Sequence, residues 1–164
     1  MTGGFAIAAL RPDHDRTGFC CGALALDRYF REQVGQDQRR RAAACYVALE
    51  AATSRVAGYY TIAASGIPLA ELPEALARRL PRYPSVPVAR LGRLAVGLDF
   101  QKRQLGAALL WDAAARAARS ELVAFALIVD AKDATAQAFY QHHGFIAFGS
   151  QVRQLMFPLS ELRR

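Results

Sequence analysis

Leu91-Gly92-Arg93-Leu94-Ala95-Val96 is followed, after a short gap, by Gln101-Lys102-Arg103-Gln104-Leu105-Gly106 and then directly by Ala107-Ala108-Leu109-Leu110-Trp111. The three pieces read as an apolar strand, a polar turn containing a glycine, and an Ala/Leu-rich helix that opens out of the turn. The first amides of such a helix have no intrahelical acceptor, and the helix dipole adds about half a positive charge at the same end. A phosphate satisfies both. Lys102 and Arg103 bring mobile positive charge to that point, and Gly106 lets a ligand approach the backbone with no Cβ in the way. Taken alone, the same residues equally describe an ordinary connection with solvated basic side chains, because short glycine-containing loops are common.

Working outward toward the C-terminus, Leu105 to Arg119 is a helix of high intrinsic propensity whose apolar residues nearly encircle it. Leu122 to Val129 is a continuous apolar strand of the kind found inside a sheet. Asp133 is placed to cap a helix over Ala134 to His142, with Gly144 at its C-terminal end. Phe145 to Phe148 and Val152 to Phe157 form a last strand pair, and Leu159 to Arg164 is a tail. Toward the N-terminus, Arg82 to Pro87 is an extended, Pro-rich lead into the central strand, preceded by a short helix over Leu72 to Arg79. Cys45 to Ala51 and Val56 to Ala64 are strands joined by a turn at 52–55, with Ser65-Gly66 ending the second. Leu24 to about Gln38 is an amphipathic helix with a basic end, and Phe5 to Leu10 is the first strand.

The chain has 164 residues, 53% of them hydrophobic and 21% charged, which fits one globular domain with a full core. No apolar run reaches the roughly 18 to 20 residues that cross a bilayer, and Ala6 to Leu10 is too short for a signal-peptide core, so a cytoplasmic protein is expected. Cys20, Cys21 and Cys45 are odd in number and do not suggest a disulfide framework. His14, His142 and His143 lack metal-ligand spacing, and no metal is expected. The formal charge of +7 suits a polyanionic partner such as nucleic acid, a charged cofactor or an acidic protein segment. It is clustered, with Arg28, Arg31, Arg39, Arg40 and Arg41 in one stretch and Arg78, Arg79 and Arg82 in another.

Arg93-Leu94-Ala95-Val96, the Gln101-to-Gly106 turn, Val129-Asp130-Ala131-Lys132 and Ala138-Phe139-Tyr140-Gln141-His142-His143-Gly144-Phe145 resemble, in order and spacing, the GNAT superfamily of acyl-CoA-dependent N-acetyltransferases. Phe19-Cys20-Cys21-Gly22, Leu26-Asp27-Arg28-Tyr29, Gly58-Tyr59-Tyr60-Thr61 and Arg82-Tyr83-Pro84 are similar to the GNAT toxins of bacterial toxin-antitoxin modules. The resemblance covers nearly the whole chain. It implies a single α/β domain, 1–164, with a mixed, mostly antiparallel sheet splayed between its central strands, flanked by helices, and acetyl-CoA in the gap. The pantetheine would lie along Ala95 and Val96, and the pyrophosphate on Gln101, Lys102, Arg103, Gln104, Leu105, Gly106 and Ala107. Gln104 stands where the family usually has glycine. A helical backbone there would leave its amide usable, whereas a positive φ would strain it.

The resemblance also implies that Tyr140 donates a proton to the departing CoA thiolate; on the residues alone, an aromatic packed on the helix face beside Phe139 and Phe145 is the favoured reading. No carboxylate stands out as a base. An α-amine with a pKa near 7.7 to 8.0 needs little help, whereas a lysine near 10.4 would need much, which favours an α-amine acceptor. The toxin branch acetylates the amino acid on charged tRNA and stops translation, and it implies a homodimer neutralised by a ribbon-helix-helix antitoxin. Arg28, Arg31, Arg39, Arg40, Arg41, Arg78 and Arg79 are then the expected contacts to tRNA phosphates. Two other readings stay open: acetylation of a small amine or a protein N-terminus, and a non-catalytic module that binds nucleic acid or a partner.

Overall fold

The computed structural model describes residues 4–162. A seven-stranded sheet runs in the order β1-β2-β3-β4-β5-β7-β6, formed by Phe5–Ala9, Ala44–Glu50, Val56–Pro68, Ser85–Val96, Ala126–Asp130, Ile146–Ala147 and Gln154–Pro158 as β1 to β7. Five helices accompany it among the described residues: α1 Leu24–Glu32, α2 Val34–Arg39, α3 Glu74–Ala77, α4 Leu105–Arg119 and α5 Ala134–His142. The architecture is the mixed, mostly antiparallel α/β sheet with flanking helices that the sequence leads one to expect. The chain packs as two compact units, Met1–Ala63 with Gly92–Ala113, and Ala64–Leu91 with Ala114–Arg164.

In the first unit, β1 pairs antiparallel with β2, and β2 with β3. Strand alternation sends Cys45 and Val47 to one face, where they meet Phe30 and Val34 from the helices together with Phe19, Tyr59 and Ala95. Aromatic rings dominate that core: Phe30 stacks on Tyr59 with centroids 4.3 Å apart, and Phe19 meets both edge-on. In the second unit, β4 and β5 pair in parallel over Ala89–Leu91 and Leu127–Val129, and β5 pairs antiparallel with β7. Ile67, Leu76, Val86, Val88, Ile128, Phe148 and Met156 fill the core there.

Several boundaries differ from the sequence expectation. The helix expected over Leu24 to Gln38 breaks at Gln33, whose φ of −120° ends α1. The break buries Val34 and leaves Gly35 against two guanidiniums, where a Cβ would lie 3.2 Å from Arg39 Nη1 and 3.3 Å from Arg16 Nη2. Ser65-Gly66 does not end β3, which runs on to Pro68. Gly66 serves close strand approach instead, since a Cβ would lie 2.8 Å from Ser85 Oγ. Ser85 to Pro87, expected as an irregular lead, already belongs to β4; the Pro87 carbonyl accepts from Phe125 N although the proline itself donates nothing.

The helix expected over Leu72 to Arg79 is only the four residues of α3, entered through Pro73, after a 3-10 turn at Leu69–Glu71. Leu122 and Val123 are not strand: both are 80% exposed, and β5 starts at Ala126. The tail begins with a 3-10 turn at Leu159–Glu161, and its last two residues, Arg163 and Arg164, lie outside the described residues.

Candidate active site

The strand, turn and helix of the opening stretch fold as read. β4 ends at Val96, a 3-10 turn covers Leu98–Phe100, and α4 starts at Leu105. Gln104 O accepts from Ala108 N at 3.2 Å, so the amides of Leu105, Gly106 and Ala107 are the ones that lack a partner within the helix. Lys102, Arg103 and Gln104 are exposed, and no acidic residue stands within the turn. This donor set fits a pyrophosphate. The backbone there is unusual: Lys102 has φ +63° and Gln104 φ +61°, left-handed values that glycine adopts freely and other residues seldom do. Of the two conformations that the sequence left open at Gln104, this is the strained one.

Three contacts fix the turn to the rest of its unit. The Gln101 side-chain amide donates to Val96 O at 3.0 Å and to Cys21 O at 3.1 Å, and the Arg103 guanidinium lies 4.7 Å over the Phe5 ring. Gly97 N donates to Ala57 O at 2.7 Å. Ala95 is 5% exposed, and its carbonyl lies so close to Gly58 that a Cβ there would come within 2.8 Å of it. Gly58 in the Gly-Tyr-Tyr-Thr run is therefore a close-approach glycine, a role its sequence neighbourhood did not reveal. A cavity of about 340 Å³ adjoins Gly97 to Phe100, but Asp15 and Asp99 outweigh Arg55 on its wall, which does not suit a polyanion.

Tyr140 sits on α5, whose first turn is capped by the Asp133 carboxylate accepting from Ala136 N at 2.8 Å. The ring is 8% exposed and packs edge-on against Phe139 and beside Phe145, so the packing expected of it is real. Its hydroxyl makes no hydrogen bond among the described residues, and the oxygen is not one of the fully buried polar atoms left without a partner. Burial first, and the negative charge of Asp130 second, push the phenol up to about 12. Asp130 in turn pairs with Arg90.

The seven expected tRNA-contact arginines divide. Arg28, Arg39, Arg40 and Arg41 are exposed in the first unit. Arg31, in the same unit, donates to Phe19 O at 3.3 Å, as Arg16 does to Phe30 O at 3.0 Å. Arg78 and Arg79 belong to the second unit, where they pair with Glu74 at 2.7 Å and Glu161 at 3.9 Å. Exposed pairs of that kind are weak, but they compete with a phosphate.

A mostly antiparallel sheet of this strand order, with β4 and β5 paired in parallel and a helix opening from a basic turn after β4, is the arrangement expected of an acyl-CoA-dependent N-acyltransferase. Residues 77–159 match the acetyltransferase (GNAT) domain family. The chain is 32% identical over 165 residues to the tRNA-acetylating toxin of Mycobacterium tuberculosis, covering 99% of this chain and 97% of that one. It superposes on AtaT complexed with acetyl-methionyl-tRNAfMet with TM-score 0.89 at 28% identity, covering 95% of both chains. A mutant AtaT toxin bound to the C-terminus of the antitoxin AtaR gives TM-score 0.80 at 26% identity, covering 96% of this chain and 94% of that one. The chain belongs to the GNAT acetyltransferase family, in the branch that includes the mycobacterial toxin. It is an acetyl-CoA-dependent acetyltransferase.

Proposed function

We propose that this protein transfers acetyl from acetyl-CoA to the α-amino group of aminoacyl-tRNA, leaving a blocked amine that cannot form the next peptide bond. The observation that carries the reading is 32% identity to a tRNA-acetylating toxin over 99% of the chain. Amides 105 to 107, with Lys102 and Arg103, hold the cofactor's pyrophosphate, and the backbone at Ala95 and Val96 receives the pantetheine. Gln101 acts differently from its turn neighbours, because its amide already bridges Val96 and Cys21 and so positions the turn. The two units then serve one acetyltransferase domain.

Bound acetyl-CoA supplies an activated acyl group on sulfur. The transfer forms an amide bond at nitrogen and breaks the C–S bond, so a proton leaves the nitrogen and charge develops on the sulfur. Tyr140 meets that charge with its hydroxyl. A phenol pushed up to about 12 stays protonated at every working pH. It is a weaker acid than a thiol of about 8.5, so it stabilises the sulfur as a hydrogen-bond donor while the net proton comes from the amine. No side-chain base is assigned, because an α-amine near 7.7 to 8.0 is already substantially neutral at pH 7.5.

Arg28, Arg39, Arg40 and Arg41 supply salt-sensitive phosphate contacts, with Arg31, Arg78 and Arg79 contributing less because they are already engaged. The enzyme acts in the cytoplasm, where charged tRNA is, as a homodimer held silent by a ribbon-helix-helix antitoxin. The antitoxin-bound AtaT structure supports an antitoxin as partner, and a +7 chain would be matched electrostatically by an acidic tail. The test offers radiolabelled acetyl-CoA with charged tRNA, deacylated tRNA and free amines side by side. Label on charged tRNA alone is expected. Label on free amines with none on charged tRNA would move the enzyme to small-amine acetylation.

A further inference from the structure

Arg93 is a charged residue inside an otherwise apolar strand, and the first unit treats it unlike its other half-buried arginine. Arg16 donates to a carbonyl, whereas the five N–H groups of Arg93 meet no carboxylate and no hydrogen-bond acceptor among the described residues. Its guanidinium carbon instead lies over the Tyr29 ring, 3.5 Å from the centroid. Tyr29 is itself held, 8% exposed, by its hydroxyl donating to Asp37 at 2.7 Å. A half-buried cation with unused donors is unfavourable unless an anion arrives, and a guanidinium held over a ring has already lost the rotamer freedom that binding would otherwise remove. Arg93 is also two residues before Ala95 on β4, so its side chain leaves the same face of the strand, about 6.6 Å along it.

We infer that Arg93 is a substrate-positioning residue that grips the last phosphodiester of the aminoacyl acceptor, 5′ to the nucleoside carrying the ester. The inference rests on the reading of the preceding subsection. A guanidinium presents paired donors that match two phosphate oxygens, and the terminal phosphodiester is the one anion present at the 3′ end of every charged tRNA whatever its sequence. Tyr29 keeps the fork in place, and Asp37 keeps Tyr29 fixed. Contacts by the exposed arginines hold the body of the RNA; Arg93 places the ester.

The test uses the full chain. Wild-type protein is given total tRNA charged with the full set of amino acids, then the aminoacyl-CCA trinucleotide of an amino acid that it accepts, with either a natural or an uncharged methylphosphonate linkage before the terminal adenosine. Wild type is expected to lose about tenfold or more in kcat/KM on the methylphosphonate, mostly through KM. Arg93→Ala should show a raised KM on the natural trinucleotide, an almost unchanged kcat, and no discrimination between the linkages. Arg93→Lys should retain part of it, and supplies the answer should the alanine variant melt early. Equal use of both linkages by wild type, or discrimination undiminished in Arg93→Ala, overturns the inference while leaving tRNA acetylation in place. Failure of wild type to acetylate any charged tRNA overturns the functional reading and this inference together.

Discussion

Gln104→Gly is the most discriminating change that the structure offers. At φ +61° a non-glycine residue carries about 1 to 2 kcal/mol of steric strain. Glycine removes that strain but adds about 0.4 to 1 kcal/mol of unfolded-state freedom, so the net gain is about 0.5 to 1 kcal/mol. For a chain of this size that corresponds to about 1 to 4 °C in Tm. At an ordinary helical or extended position, the same substitution would instead lose about 0.5 to 1 kcal/mol. The sign therefore reports the conformation. Equilibrium urea unfolding of wild type, Gln104→Gly and Gln104→Val, with and without acetyl-CoA, measures it; the β-branched valine should fall below wild type. Acetyl-CoA at 100 times its Kd adds about 2.7 kcal/mol to any variant that binds it normally. A glycine variant less stable than wild type would refute the left-handed turn and the strain assigned to it.

Tyr140→Phe should lower kcat by about 100-fold or more with acetyl-CoA affinity unchanged, read by steady-state kinetics beside calorimetric binding; near-normal turnover would return Tyr140 to a packing role. Because burial and Asp130 push its phenol up to about 12, kcat/KM should rise through the substrate amine, near 7.7 to 8.0, and stay level through pH 10, where an unperturbed tyrosine would lose its proton. A fall centred near pH 10 would contradict that environment. Gly58→Ala forces a methyl against Ala95 O and the Leu109 side chain, at 2.8 and 2.9 Å, and should cost about 1 to 3 kcal/mol in chemical denaturation. The double change of Arg39 and Arg40 to Ala should raise KM for tRNA and flatten its salt dependence while sparing acetyl-CoA binding.

The part of the chain legible beforehand was the part where local chemistry and tertiary structure agree. The turn at 101–106, the Leu105–Arg119 helix, the Asp133 cap and Gly144 all carry their signals in adjacent residues. The misplacements fall where the deciding partner is distant. Leu122 and Val123 continue an apolar run, yet pairing begins only where Phe125 N reaches Pro87 O. Gly66 looked like a turn and Gly58 carried no signal, because the atoms that require them belong to Ser85 and to Ala95 and Leu109. Arg93 was given no role of its own from the sequence, although a lone charge inside Leu-Gly-Arg-Leu-Ala-Val is a visible signal. What the sequence could not reveal was that its guanidinium has a ring beneath it and no acceptor beside it.

The guanidiniums of Arg16 and Arg31, tied to the carbonyls of Phe30 and Phe19, have a practical consequence for any survey that neutralises basic residues one at a time. On the proposed function, lost tRNA acetylation at Arg39 or Arg40 would signal a weaker hold on RNA, whereas the same loss at Arg16 or Arg31 would also reflect a loosened main chain. Melting curves taken alongside such a survey separate the two groups, and only the first draws a map of where the nucleic acid lies.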